Sequence, residues 1–229
     1  MKHLNEVTIQ GTIGTRPRVQ NTQRSVERGK PEAQILFPLV WTRGETTNLI
    51  TASAISSTAA AIQRHVLPGE PLLVTGRLDR RSEGLRLRLS SIQRLVTADP
   101  TITVPGANGE LFSLKGGLSE VMLRGHAEGD SVASAAGFRF IMKLVEGNES
   151  RRVHVIPVVS QVPVRRGQAV TVTGEFIRSP EDEESAGYVY SVRTSLGESI
   201  EVAANLTNRD PRDRLNVATM GENLTLTQS

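Results

Sequence analysis

Apolar and polar residues alternate through Val7-Thr8-Ile9-Gln10-Gly11-Thr12-Ile13, the mark of a strand with one face in a core and the other in water. Ala33 to Trp41 and Asn48 to Ile55 read as second and third strands, with Arg43-Gly44-Glu45 as the turn between them. Ser57 to Leu67 is the one convincing helix. Ser57 or Thr58 can cap it, Ala59-Ala60-Ala61 favours it, and Pro68-Gly69 ends it. Leu72 to Leu78 is a fourth strand. Leu85-Arg86-Leu87-Arg88-Leu89 is a fifth, and its period of two puts the leucines on one face and both arginines on the other. Thr15 to Glu32 is polar and long for a hairpin connection, which predicts a loop with a functional role.

The pattern is then written again. Leu4-Asn5-Glu6-Val7-Thr8-Ile9-Gln10-Gly11 recurs as Leu118-Ser119-Glu120-Val121-Met122-Leu123-Arg124-Gly125. Gly69-Glu70-Pro71-Leu72-Leu73-Val74-Thr75-Gly76 recurs as Gly167-Gln168-Ala169-Val170-Thr171-Val172-Thr173-Gly174. A repeat this long exceeds solenoid periods and implies two domains of one fold. Strands of the second copy are expected at Glu120–His126, Phe138–Val145, Arg152–Val159, Val170–Ile177 and Tyr188–Arg193, with a further one over Ser199–Val202. Gln161 to Arg166 is too short to hold the helix. The order strand-strand-strand-helix-strand-strand is that of the OB-fold. The chain is therefore read as all-β: two tandem OB-fold five-stranded Greek-key barrels, with one short helix in the first. The expected divisions are a basic barrel over 1–104, a linker over 105–117 rich in Pro, Gly and polar residues, an acidic barrel over 118–204, and a polar tail over 205–229.

Composition narrows the chemistry. There is no Cys, so disulfides and Cys-based zinc sites are excluded. His3, His65, His126 and His154 are scattered and make no metal-ligand spacing; His154 reads as a packed or half-exposed strand residue. No phosphate loop, nucleophile elbow or catalytic constellation is visible, so neither an enzyme nor a cofactor is expected. No leader or membrane-spanning run is seen, which points to a cytoplasmic, nucleoid-associated protein. Residues 1–105 hold 14 Lys and Arg against 8 Asp and Glu, whereas residues 106–229 hold 13 against 16. Nearly all the cations are Arg, which suits phosphate forks and base stacking.

Arg77, Arg80, Arg81, Arg86 and Arg88 fall on one hairpin, with Arg43 on the preceding turn, and form the principal candidate for binding a polynucleotide backbone; Arg16 and Arg18, in the long polar loop, are further candidates. The competing reading is a merely solvated outer face. Trp41 is either a base-stacking platform or a core or interface residue. Tyr188 and Tyr190 share one strand face and Phe138 and Phe140 another, where barrel core competes with stacking. Arg151-Arg152 and Arg165-Arg166 are basic pairs in turns. The acidic run Glu181-Asp182-Glu183-Glu184 reads as a solvated loop tip.

The run Val7 to Val19, with Gly11 and Arg16-Pro17-Arg18, and the run Leu67-Pro68-Gly69-Glu70-Pro71-Leu72-Leu73-Val74-Thr75-Gly76-Arg77-Leu78 resemble the bacterial single-stranded DNA-binding protein family, in a tandem OB-fold variant. The likeness covers most of residues 4–96 and, more weakly, 118–202. It implies single-stranded DNA as partner, a homodimer presenting four barrels, and proteins of replication, recombination or repair as further partners. This chain departs from the pattern in three places. Aromatic strand residues are few, Arg16 stands where the family has Asp, and the acidic, Phe-terminated tail tip is absent. The alternative function is a protein-interaction or assembly adaptor.

Overall fold

The computed structural model describes residues 4–21, 33–81, 84–134, 137–146, 152–178, 190–193 and 201–203. The first repeat supplies β1 (Leu4–Ile13), β2 (Arg18–Asn21), β3 (Ala33–Arg43), β4 (Thr46–Ile55), α1 (Ser56–His65), β5 (Pro71–Arg81) and β6 (Gly84–Arg94). Its alternating strands put Val7, Ile9, Phe37, Leu39, Ile50, Ala52, Val74, Leu85, Leu87 and Leu89 inside. β1 pairs with β3, β3 with β4, β4 in parallel with β6, β6 with β5, and β5 with β1 again. This closed path with a single parallel step is the OB-fold barrel expected from the element order. α1 lies between β4 and β5 and buries Ala59 and Ile62. It differs from expectation at its start: Ile55 occupies the cap position, and no side chain caps the helix.

The second repeat supplies β9 (Ser119–Ala127), β10 (Val132–Ser134), β11 (Gly137–Glu146), β12 (Arg152–Ser160), β13 (Ala169–Arg178), β14 (Tyr190–Arg193) and β15 (Glu201–Ala203). Here β9 pairs with β11, β11 with β12, β12 in parallel with β14, β14 with β13, and β13 with β9. Barrel 2 therefore repeats the closure of barrel 1 without the helix. The register repeats too: Val7 faces Gly76 in barrel 1, and their counterparts Val121 and Gly174 face each other in barrel 2. The glycine shared by both copies of the first strand has one cause. A Cβ on Gly11 would stand 3.0 Å from the carbonyl oxygen of Val40, and one on Gly125 would stand 2.5 Å from that of Lys143. There β1 passes close to β3, and β9 to β11, and the backbones leave little or no room for a side chain.

Two segments that read as irregular in the sequence are strands. Arg18–Asn21, within the expected loop, pairs with Ala33–Leu36 of β3. A hairpin of β7 (Thr101–Gly106) and β8 (Gly109–Lys115) straddles the expected boundary at 104 and takes up most of the expected linker. Ala107 and Asn108 make its turn between the paired Gly106 and Gly109, and Gly109, the first residue of β8, takes a positive φ of 119°. β8 then lies beside β3, with Leu114 opposite Trp41. The Pro180–Gly187 loop and the tail from Asn205 lie outside the described residues.

The barrels are joined by their first strands. β1 and β9 run antiparallel, and Val7 faces its own counterpart Val121, with Glu6 opposite Met122 and Thr8 opposite Glu120. Because Glu120 is the counterpart of Glu6 and Met122 that of Thr8, the seam has internal two-fold symmetry, like the isologous interface of a homodimer. One apolar cluster runs through both barrels.

Candidate nucleic-acid interface

Registers across barrel 1 decide which arginines stand together. Residues directly opposite on neighbouring strands share a face of the sheet. Arg18 of β2 faces Leu36 of β3, Leu36 faces Ser53 of β4, Ser53 faces Arg88 of β6, and Arg88 faces Arg77 of β5. One row thus crosses five strands on the outside of the barrel. Arg18, Arg77 and Arg88 in it are exposed, Leu36 is half-buried, and Ser53 is buried. The adjacent row runs from Pro38 to Thr51, Arg86 and Asp79. Arg86 and Arg88 point outward while Leu85, Leu87 and Leu89 fill the core, as the period of two requires. The result is a curved, basic surface with two half-buried apolar side chains, Leu36 and Pro38, and no aromatic ring in either row. Arg16 is exposed in the turn before β2.

Other candidates go elsewhere. Trp41 is 1% exposed. Its ring meets Phe176 of barrel 2 at a centroid distance of 6.0 Å and an interplanar angle of 51°. Of the two readings of this residue, the base-stacking platform gives way to the buried interface residue, since burial leaves no ring face open to a base. As the protein's one tryptophan, it carries a direct check. Saturating single-stranded oligonucleotide is expected to leave its emission unchanged in wavelength and intensity, whereas strong quenching would put bases against the ring.

Arg43 forms an ion pair with Glu175 of barrel 2, the two side chains being 52% and 31% exposed. It is an inter-barrel contact of modest strength. Phe140 is buried core and Phe138 is half-buried. Arg165 and Arg166 are exposed on the turn before β13. That turn is pinned by the backbone N–H of Arg165 donating to Gln168 Oε1 (2.6 Å) and that of Arg166 to Asp130 Oδ1 (2.8 Å). Arg151 and Tyr188 lie outside the described residues, as do the side chains of Arg80, Arg81, Arg152 and Tyr190.

A further contact between the barrels is not foreshadowed in the sequence. His154 of β12, 8% exposed, places Nδ1 at 3.2 Å from Oδ1 of Asp79 on β5. Asp79 lies opposite Arg86, so this pair joins the edge of the basic face to barrel 2. Of the two settings expected for His154, packed or half-exposed, the structure has the packed one, and its partner is not legible in the sequence because the contact spans two elements far apart in the chain. Among the described residues no group of His, Cys, Asp and Glu is arranged to hold a metal ion, and no helix is long and apolar enough to cross a membrane.

No family model matches this sequence, and no curated protein matches it either. Solved structures do. The wild-type single-stranded DNA binding protein from Thermus aquaticus is 16% identical, covering 93% of this chain and 100% of its own at a TM-score of 0.61. A deletion mutant of that protein is 16% identical over 89% of this chain and 96% of its own, at 0.57. The small single-stranded DNA-binding protein from Streptomyces coelicolor is 21% identical over 42% of this chain and 96% of its own, at 0.33. The structural neighbours of this chain are thus bacterial single-stranded DNA-binding proteins, and it shares with the Thermus aquaticus protein a fold of two tandem OB barrels.

Proposed function

We propose that this protein binds single-stranded DNA with little sequence preference, through the outer face of barrel 1. The observation that carries the reading is the five-strand row in which Arg18, Arg88 and Arg77 stand exposed, with Arg86 beside them. Guanidinium groups spaced along a curved sheet can follow a sugar-phosphate chain, which carries no base information. Stacking contributes little, because both rows lack aromatic rings; Leu36, Pro38 and the planar guanidinium groups are the contacts left for bases. The neighbours' names, which describe single-stranded DNA binding, support the same substrate. The role is a binding role rather than a catalytic one, in keeping with neighbours that are binding proteins. The reading extends to protecting or organising strands in replication, recombination or repair in the cytoplasm, and to a homodimer presenting four barrels.

The test is an anisotropy titration of labelled single-stranded and duplex oligonucleotides at two salt concentrations. Affinity for the single strand is expected to exceed that for the duplex. It should also fall with log salt at a slope of about −0.7 for each phosphate contact. A flat salt response, or equal binding of duplex, would overturn the reading.

A further inference from the structure

The repeated registers allow the two barrels to be matched residue by residue, and the basic face of barrel 1 is only half kept in barrel 2. Leu39 faces Ile50 in barrel 1 and Met142 faces Ile156 in barrel 2; Ala52 faces Leu87 and Val158 faces Val192. With strands one and four already matched through Val7–Gly76 and Val121–Gly174, each position of the basic rows has a counterpart. The row Arg18–Leu36–Ser53–Arg88–Arg77 becomes Val132–Arg139–Val159–Arg193–Glu175. The positions of Pro38, Thr51, Arg86 and Asp79 become Ile141, Pro157, Ser191 and Ile177. Valine, serine and glutamate thus replace Arg18, Arg86 and Arg77, and only Arg88 keeps an arginine counterpart. Glu175 is moreover committed to Arg43 across the barrels.

Resting on the reading above, we infer that single-strand binding is confined to barrel 1. A duplicated fold has kept one binding face and given the other up. Barrel 2 acts as a scaffold: it holds barrel 1 through the β1–β9 seam, the Trp41–Phe176 contact and the Asp79–His154 pair. Its own face presents Val132, Ile141 and Pro157, and Val132 is 69% exposed. The two rows of barrel 2 hold two arginine positions, Arg139 (at the place of Leu36) and Arg193, against Glu175, where those of barrel 1 hold four, Arg18, Arg77, Arg86 and Arg88, against Asp79. Each chain therefore engages one segment of strand, within the range of roughly 4–16 nucleotides spanned by a single OB barrel.

The experiment compares two double variants of the full chain, Arg18→Ala with Arg88→Ala and Arg139→Ala with Arg193→Ala, in the same titration. The first is expected to lose affinity by at least about tenfold and to lower the salt slope by about 1.4, for two phosphate contacts removed. The second is expected to bind within about twofold of the parent with the slope unchanged. Photocrosslinking of a thymidine-rich oligonucleotide to the unaltered chain, followed by peptide mapping, gives an answer even where a variant fails to fold. All crosslinks should fall within residues 4–94. Equal losses in both variants, or crosslinks on barrel 2, would overturn the confinement while leaving DNA binding intact. No binding by the unaltered chain would instead refute the reading on which it rests.

Discussion

Replacing Arg86 and Arg88 together by Ala should weaken single-strand binding by one to two orders of magnitude, at about 1.4 kcal/mol per tenfold, without unfolding the protein. Both side chains leave the outer face of β6, and Leu85, Leu87 and Leu89 on the other face carry its packing. Arg88 is exposed and Arg86 half-buried, so the double change is expected to cost stability no more than about 1–2 kcal/mol. A lost phosphate contact has a signature that a misfolded barrel does not. The slope of log affinity against log salt should fall by at least about 0.7, for the contact made by Arg88, while the far-UV circular dichroism keeps the form of the parent. Arg88 has arginines on its row at Arg18 and Arg77, and Arg86 stands beside Asp79. Changing Arg88 alone should therefore account for most of the affinity lost. Unaltered affinity in the double variant would remove β6 from the binding face.

Trp41→Ala is expected to destabilise the whole chain by about 3–5 kcal/mol, the cost of deleting a buried indole together with the cavity it leaves. That is a large share of the roughly 5–15 kcal/mol by which most proteins are stable. The reason is position as much as size. Trp41 is 1% exposed on β3 of barrel 1, yet its ring packs on Phe176 of barrel 2. The backbone that leads into barrel 2 passes against it as well: a Cβ on Gly117 would stand 2.6 Å from the Cβ of Trp41. Because one apolar cluster runs through both barrels, they should melt in a single transition that shifts as a unit. Denaturant unfolding followed by circular dichroism measures this as a lower midpoint with an unchanged slope. A loss below about 1 kcal/mol would mean that the indole is not part of a packed interface.

Much of this architecture is legible in the order of residues alone. Val7, Ile9 and Ile13 announce a strand with one dry face, and Leu85, Leu87 and Leu89 announce another, because burial on a pleated sheet imposes a period of two. What escapes is short or polar. β2 carries Arg18, Val19 and Gln20, all exposed, so no alternation marks it. It is a strand only because β3 offers it an edge. The β7–β8 hairpin reads as a linker because Pro105-Gly106 and Asn108-Gly109 have the composition of a loop, and such residues also suit the ends of a hairpin turn, here Ala107-Asn108 between the paired Gly106 and Gly109. Arg43 reads as one more basic residue near the hairpin, and nothing local in the sequence pairs it with Glu175.

The amino-acid sequence by itself determined that there are two barrels of one kind, where most of their strands run, and which side of each strand faces inward. Each of these follows from local periodicity, glycine placement and the order of elements. The tertiary structure alone decided which arginines stand in one row, why Trp41 is sealed between barrels, and why the second copy of the face carries Val132, Ser191 and Glu175 where the first has arginines. Periodicity assigns a side chain to a face but not to a neighbour. Neighbours are set by the register between strands far apart in the chain, and that register is fixed by barrel closure and by the two-fold seam where Val7 meets Val121.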